Sequence, residues 1–203
     1  MRTLFFIPSM GSVRLPLIDF LVKNDIEYVI LSRRNHVAVQ REIALDMFLE
    51  MKDYDTLAFL DEDVVPIEID FQKVEAKFNE GYDVVCGYYY LKTLRGYSVY
   101  RKDWEKEIFD GEVNGCGLGF TFIKREFLEK IKRPAFLAFK PIESPHWIGE
   151  DVYFFSTHKP RTYALSSLKA YHFIDERLAL SPDRKLILQN DHVARIKHHH
   201  HHH

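Results

Sequence analysis

Cysteine is scarce in this 203-residue chain: Cys86 and Cys116 are the only two. That excludes a disulfide-stapled scaffold. With no CxxC pair and no zinc ligand set, they read as reduced thiols of a cytoplasmic protein. Charge of one sign is also lacking. The 28 basic and 30 acidic residues leave a formal net charge of −2, so no global field recruits nucleic acid or an anionic membrane. Long apolar runs are missing too. LFFI at the start is too short for a signal peptide, and no window approaches a transmembrane span. Histidine is rare once the purification tag His198–His203 is set aside, leaving five. Only nine glycines occur, and none forms the GxGxxG fingerprint of a dinucleotide site.

What is present is an alternation of apolar runs and amphipathic segments. Strands are expected at 3–8, 27–32, 56–63 and 82–90, and helices at 13–25, 40–52 and 71–81. Strand–helix–strand spacing of this kind implies right-handed crossovers and a mostly parallel central sheet flanked by helices. The expected class is therefore α/β, with one domain over 1–197. The second half is less regular. Residues 91–113 are rich in tyrosine and lack periodicity. GCGLGFTFIK (115–124) precedes a helix over 125–131, proline punctuates 134–145, and a last strand spans 164–173. Residues 174–197 read as a charged tail.

The third strand ends in three consecutive acids, LAFLDEDVV. Ligand crevices of open α/β sheets lie at the carboxyl ends of the strands, so Asp61, Glu62 and Asp63 stand where a ligand belongs. No neighbour in sequence offers them a cation. In an extended segment Asp61 and Asp63 share a face, a hard-oxygen pair suited to Mn²⁺ or Mg²⁺. A solvated acidic turn is the plain alternative. LDEDVV also resembles the first motif of haloacid-dehalogenase-like phosphatases, although there the motif closes the first strand and a later acidic metal pair is expected.

Taken in order, FFIPSMG, LDED, GCGLGF, GED before an aromatic helix, and the histidine of KAYHF resemble the GT-A-fold glycosyltransferases (the nucleotide-diphospho-sugar transferase fold), in texture the family 2-like members. The likeness covers most of residues 1–173. It implies transfer of a sugar from a nucleoside diphosphate sugar donor to a hydroxyl of a glycan or protein acceptor. Asp61 and Asp63 would hold the metal, with His172 as a further ligand, and Asp61 would also face the donor.

The resemblance also implies that Pro8 and Ser9 open the nucleotide site. Arg33 and Arg41, with Arg34 beside them, would reach it from the second strand and the next helix. Gly115, Gly117 and Gly119 alternate and would leave a flat strip against which a sugar could lie, with Gly117 at its centre. Glu150 and Asp151 open a helix. By the family pattern Asp151 is the base and Glu150 its neighbour in catalysis, and the helix dipole should keep Asp151 ionised at neutral pH, as a weak base. Trp104, Trp147 and the tyrosines from Tyr88 to Tyr100 offer faces for sugar rings. No processive-synthase motif is present. A GT-A-like module that binds nucleotide sugar or glycan without turnover is the non-enzymatic alternative.

Overall fold

The computed structural model describes residues 1–32, 36–144 and 146–188. Its elements in chain order are β1 (Thr3–Ser9), α1 (Leu15–Lys23), β2 (Tyr28–Ser32), α2 (Val37–Glu50), β3 (Thr56–Leu60), β4 (Val64–Pro66), α3 (Phe71–Asn79) and β5 (Val84–Tyr88). There follow β6 (Val99–Tyr100), β7 (Gly111–Val113), β8 (Gly115–Cys116), β9 (Phe120–Lys124), α4 (Arg125–Lys130), α5 (Glu150–His158), β10 (Thr162–Phe173), β11 (Leu178–Leu180) and β12 (Leu186–Leu188). The central sheet runs β2-β1-β3-β9-β5-β10 and continues through β11 and β12. Strands β2, β1, β3, β5 and β10 point the same way, β9 runs against them between β3 and β5, and β4, β7 and β11 each pair antiparallel with β10. The class is α/β with a mostly parallel central sheet, as expected.

Apolar runs buried on both faces make this sheet. Side chains of β1 alternate between two cores. Leu4 and Phe6 join one with Leu45 and Phe48 of α2, while Phe5 and Ile7 join the other with Leu17, Phe20 and Leu21 of α1. β3 divides likewise, Leu57 and Phe59 against Ala58 and Leu60. Helix starts follow local chemistry. Asp70 caps α3 by accepting from the amides of Gln72 and Lys73, satisfying donors that a helix leaves open. His36 caps α2, which therefore starts at Val37, ahead of the expected 40.

Three expectations change here. The tail is not irregular throughout, because β11 and β12 form an antiparallel hairpin on β10; beyond residue 188 it lies outside the described residues. Residues 91–113 contribute β6 and β7. The cysteines are not free thiols. Cys86 of β5 and Cys116 of β8 form a disulfide across 30 residues, with Cα atoms 6.6 Å apart. Sequence spacing could not reveal it, because the sheet brings the two strands together from distant parts of the chain.

Candidate active site at the carboxyl end of the sheet

β3 ends at Leu60, and the acids that follow lie in a turn. The Asp61 amide donates to the Gly119 carbonyl at 3.0 Å, and the Val64 amide closes back on the Asp61 carbonyl at 3.0 Å. The extended geometry expected for 61–63 is therefore replaced by a reversal into β4, and the two aspartates take different partners. Arg41 Nη2 donates to Asp61 Oδ1 at 2.9 Å, and Arg41 Nε to Glu150 Oε1 at 3.2 Å. Lys92 Nζ donates to Asp63 Oδ2 at 2.5 Å. The cations missing from the neighbouring sequence thus come from α2 and from the segment after β5.

Arg41 was expected to reach out to a nucleotide, but only 2% of it is exposed. It rests on the Phe59 ring, 4.7 Å from the centroid, and ties the acid of β3 to the acid that opens α5. Its Nη1 is buried without a partner. Arg33 and Arg34 lie outside the described residues.

Glu62 points the other way and clips the end of β1. Ser9 Oγ donates to Glu62 Oε2 at 2.7 Å, and the Met10 amide donates to the same oxygen at 3.2 Å. Pro8 and Ser9 are both buried in β1, and Gln40 Nε2 donates to the Ser9 carbonyl at 2.9 Å. The opening turn and the acidic triplet are thereby one unit.

His172 arrives through strand register. β4 pairs antiparallel with β10, setting His172 opposite Val64, and the Phe173 amide donates to the Asp63 carbonyl at 2.8 Å. His172 Nδ1 lies 2.8 Å from the Tyr90 carbonyl oxygen, which only accepts, so Nδ1 carries the proton. Nε2 faces Asp63 Oδ2 at 3.5 Å. Burial drives the Asp63 carboxyl upward, but His172 and Lys92 outweigh it and hold its pKa down at about 2. Asp61 moves the opposite way. Burial raises its pKa, with Asp63 and Glu150 adding to the rise against Arg41.

Among the described residues no group of three or more His, Cys, Asp and Glu forms a metal cage. Asp63 and His172 nonetheless suit a divalent cation that takes few protein ligands. A carbonyl accepting from Nδ1 is the usual second-layer support of a metal-binding histidine, and it leaves the Nε2 lone pair directed to the side where Asp63 lies.

The glycine strip is rearranged. Gly115 belongs to β8, whereas Gly117 and Gly119 sit in the link to β9, so the three do not share a strand. A side chain on Gly117 would run into Tyr89 Oη, and one on Gly119 would stand 2.7 Å from both Asp61 Oδ2 and Tyr89 Oη. Close packing against Tyr89 and Tyr100, not an open floor, is what these glycines permit. The Gly119 amide donates to Tyr89 Oη at 3.1 Å. Tyr88, Tyr89 and Tyr97 are core residues, with Tyr88 Oη bound to the Phe109 carbonyl and Tyr97 Oη to the Pro182 carbonyl. They offer no ring face to a ligand. Trp104 packs on Tyr100, and Trp147 is 70% exposed.

Asp151 differs from expectation in its basicity, not in its charge at neutral pH. Its Oδ1 accepts from the Val152 amide at 2.8 Å, yet burial and the neighbouring Glu150 raise its pKa to about 6. The helix terminus does not win. Burial also pushes the Tyr100 hydroxyl up, with Asp151 adding to it, so Tyr100 stays a neutral donor beside this carboxyl.

The structure thus assembles Asp61, Asp63, Glu150, Asp151 and His172 at one end of the sheet, with Ser9 attached through Glu62. Sequence reasoning missed Lys92, and Tyr89, expected to offer its ring face to a sugar, instead packs its hydroxyl on Gly117 and Gly119. Lys92 had no signal, and the clue to Tyr89 lay in the glycines that make room for its hydroxyl.

The sequence matches no protein-family model and no curated protein. Among solved structures, a glycosyltransferase involved in the glycosylation of the major capsid of PBCV-1 aligns at 9% identity over 64% of this chain and 63% of its own, TM-score 0.38. S. aureus TarS 1–349 in complex with UDP aligns at 14% identity over 82% and 58%, TM-score 0.49. Neither is similar enough to carry an argument. The crystal structure of A197 from STIV is of another order: 95% identity, 95% of this chain and 96% of that one covered, TM-score 0.88. On that identity and coverage, the chain belongs to the family of A197 from STIV.

Proposed function

We propose that this protein is a metal-dependent glycosyltransferase of the GT-A type, moving a sugar from a nucleoside diphosphate sugar to an acceptor hydroxyl. The observation that carries the reading is the convergence of Asp61 and Asp63 after β3, His172 from β10 and Asp151 from α5 at the ligand-binding end of the sheet. The ordered motifs that resemble that family are the ones the fold gathers there.

Asp63 and His172 would hold a Mn²⁺ or Mg²⁺ ion, with Asp61 beside them; when bound, the ion supplies positive charge for the departing diphosphate. Asp151 takes the proton of the acceptor hydroxyl as that oxygen bonds to the sugar carbon and the carbon–diphosphate bond breaks, its electron pair leaving with the diphosphate. A carboxyl with a pKa raised to about 6 is better matched to that task near neutral pH than an ordinary aspartate. Glu150 is held by Arg41, so its role is to fix the start of α5 next to Asp61. The donor enters past Ser9 and the acidic turn, and the acceptor is a glycan or protein hydroxyl.

One observation favours a second reading. Arg41 and Lys92 already neutralise the two aspartates, which suits a domain that binds nucleotide sugar without turning it over. Sugar release and transfer from a panel of UDP- and GDP-sugars separate the two. Transfer is expected in the unaltered protein and should fall by about 10² to 10⁴ in Asp151→Asn, the usual worth of a general base, while donor affinity is retained. Glu150→Gln should be milder. Donor binding with no sugar release under any condition would establish the binding module instead.

A further inference from the structure

We propose that the loop between α4 and α5 docks on an anionic lipid surface and thereby presents the Asp151 end of the site to that surface. The loop carries Leu137, Phe139, Ile142 and Trp147 on its outside, with Trp147 70% exposed and Ile142 fully so, and Val152 in the helix that follows is 40% exposed. A cluster of this kind within one segment is unlike apolar residues scattered singly over a surface.

Its base is built firmly. Arg133 pairs with Glu42 and Asp46, Phe136 stacks on Phe154 at 5.1 Å, and Phe139 and Ile148 exchange backbone hydrogen bonds of 3.0 and 2.6 Å. Phe139 also meets Tyr153 edge-on at 6.1 Å. The apolar tip is therefore held out from a packed stem.

Charge selects the occupant. Lys132 and Lys140 are exposed on this loop and Lys130 at the end of α4 just before it, and among the described residues none of the three takes part in an ion pair. Glu143 is its one acid between residues 130 and 149. The overall balance of −2 conceals this local excess. An apolar tip containing tryptophan, with exposed lysines on and just before the same segment, matches a lipid–water interface of negative charge, where the rings and aliphatic groups enter the headgroup region and the ammonium groups meet anionic lipid. The docking stands on these observations alone; that the acceptor hydroxyl lies on the same surface rests on the proposed transferase reading.

The test is co-sedimentation and tryptophan emission of the full chain with phosphatidylcholine vesicles, with and without phosphatidylglycerol. Binding and a blue shift are expected with the anionic vesicles only, and should be lost at high salt. The double variant Ile142→Ser, Trp147→Ala should lose at least tenfold in partitioning. Lys132→Gln and Lys140→Gln should each lose roughly fivefold, as about 1 kcal/mol per lysine near such a surface implies. The hexahistidine is common to all variants, so differences between them report on the loop. Trp104→Phe leaves Trp147 as the one tryptophan, and its quenching by brominated lipid gives the answer with the loop intact. No binding, binding unchanged in the double variant, or an unquenched Trp147 would overturn the proposal. Vesicle binding uses neither nucleotide nor metal, so its failure is distinct from failure of the transferase reading.

Discussion

Arg41 Nη2 lies 2.9 Å from Asp61 Oδ1 in a site where only 2% of the arginine is exposed, and its Nε holds Glu150 at 3.2 Å. One buried guanidinium therefore links the acidic turn after β3 to the start of α5. Removing one partner of a fully buried ion pair costs about 3 to 5 kcal/mol, an upper bound here because the Asp61 side chain is 33% exposed. Arg41→Met should lose stability on that order by chemical denaturation. Arg41→Lys should also be impaired, because one ammonium cannot reproduce the planar fork that spans two carboxylates. A fully stable Arg41→Met protein would show that the bridge is dispensable.

Asp151 yields a prediction with a definite sign. Its pKa is raised to about 6 from an ordinary 3.8, so the folded state holds the proton more tightly than the unfolded one. Its ionised form is then a cost to folding that is fully present above about pH 6 and gone below about pH 4. Asp151→Asn should be more stable than the parent at pH 7.5 by about 1 to 3 kcal/mol, and the advantage should vanish toward pH 4. Activity should run opposite, rising with pH through about 6 as the carboxyl ionises. An Asp151→Asn protein less stable than the parent at pH 7.5 would contradict the burial argument.

Asp63 behaves in the reverse sense. Its pKa is held down at about 2 by His172 and Lys92 against the effect of burial, so the stabilisation is present above about pH 4 and is lost as pH falls toward 2. Lys92 is also a competitor for any metal at Asp63. Lys92→Met should bind Mn²⁺ more tightly, by roughly two- to fivefold given the modest worth of a partly exposed pair. Calorimetric titration with Mn²⁺ alone reads this, and weaker binding in the variant would mean that Lys92 assists the metal.

Much of the layout was legible in the sequence. The alternation of apolar runs such as TLFFIP and TLAFLDED with amphipathic segments was enough for the parallel sheet and for the end of it that carries the site. The gaps have a common cause in long-range pairing. That 61–63 is a turn depends on β4 pairing with β10, a three-residue strand too short to show a pattern. Lys92 reaches Asp63 across 29 positions, and Arg41 reaches Glu150 across 109. The raised basicity of Asp151, which with a pKa of about 6 is still mostly ionised at neutral pH, was missed for a different reason. Dipole and burial act in opposite directions on a carboxyl, and only the packing of α5 decides between them.

The Cys86–Cys116 disulfide fastens β8, next to α5 and the glycines, to β5 at the middle of the sheet. Closing 30 residues is worth about 3 to 4 kcal/mol in the chain-entropy account. Reduction, or Cys116→Ser, should lower the melting temperature clearly. Thiol titration of the denatured, unreduced protein should find no free cysteine. Two titratable thiols in freshly prepared protein would remove the disulfide from the account.

In the proposed function Asp63 and His172 bind a divalent cation, which in turn binds a nucleoside diphosphate. Calorimetric titration of UDP and GDP into the protein with and without Mn²⁺, repeated on Asp63→Ala, tests it most directly. At least one nucleotide is expected to bind at least tenfold more tightly with Mn²⁺, and the enhancement to disappear in Asp63→Ala. Equal affinity with and without Mn²⁺, or an enhancement that survives in Asp63→Ala, would contradict it.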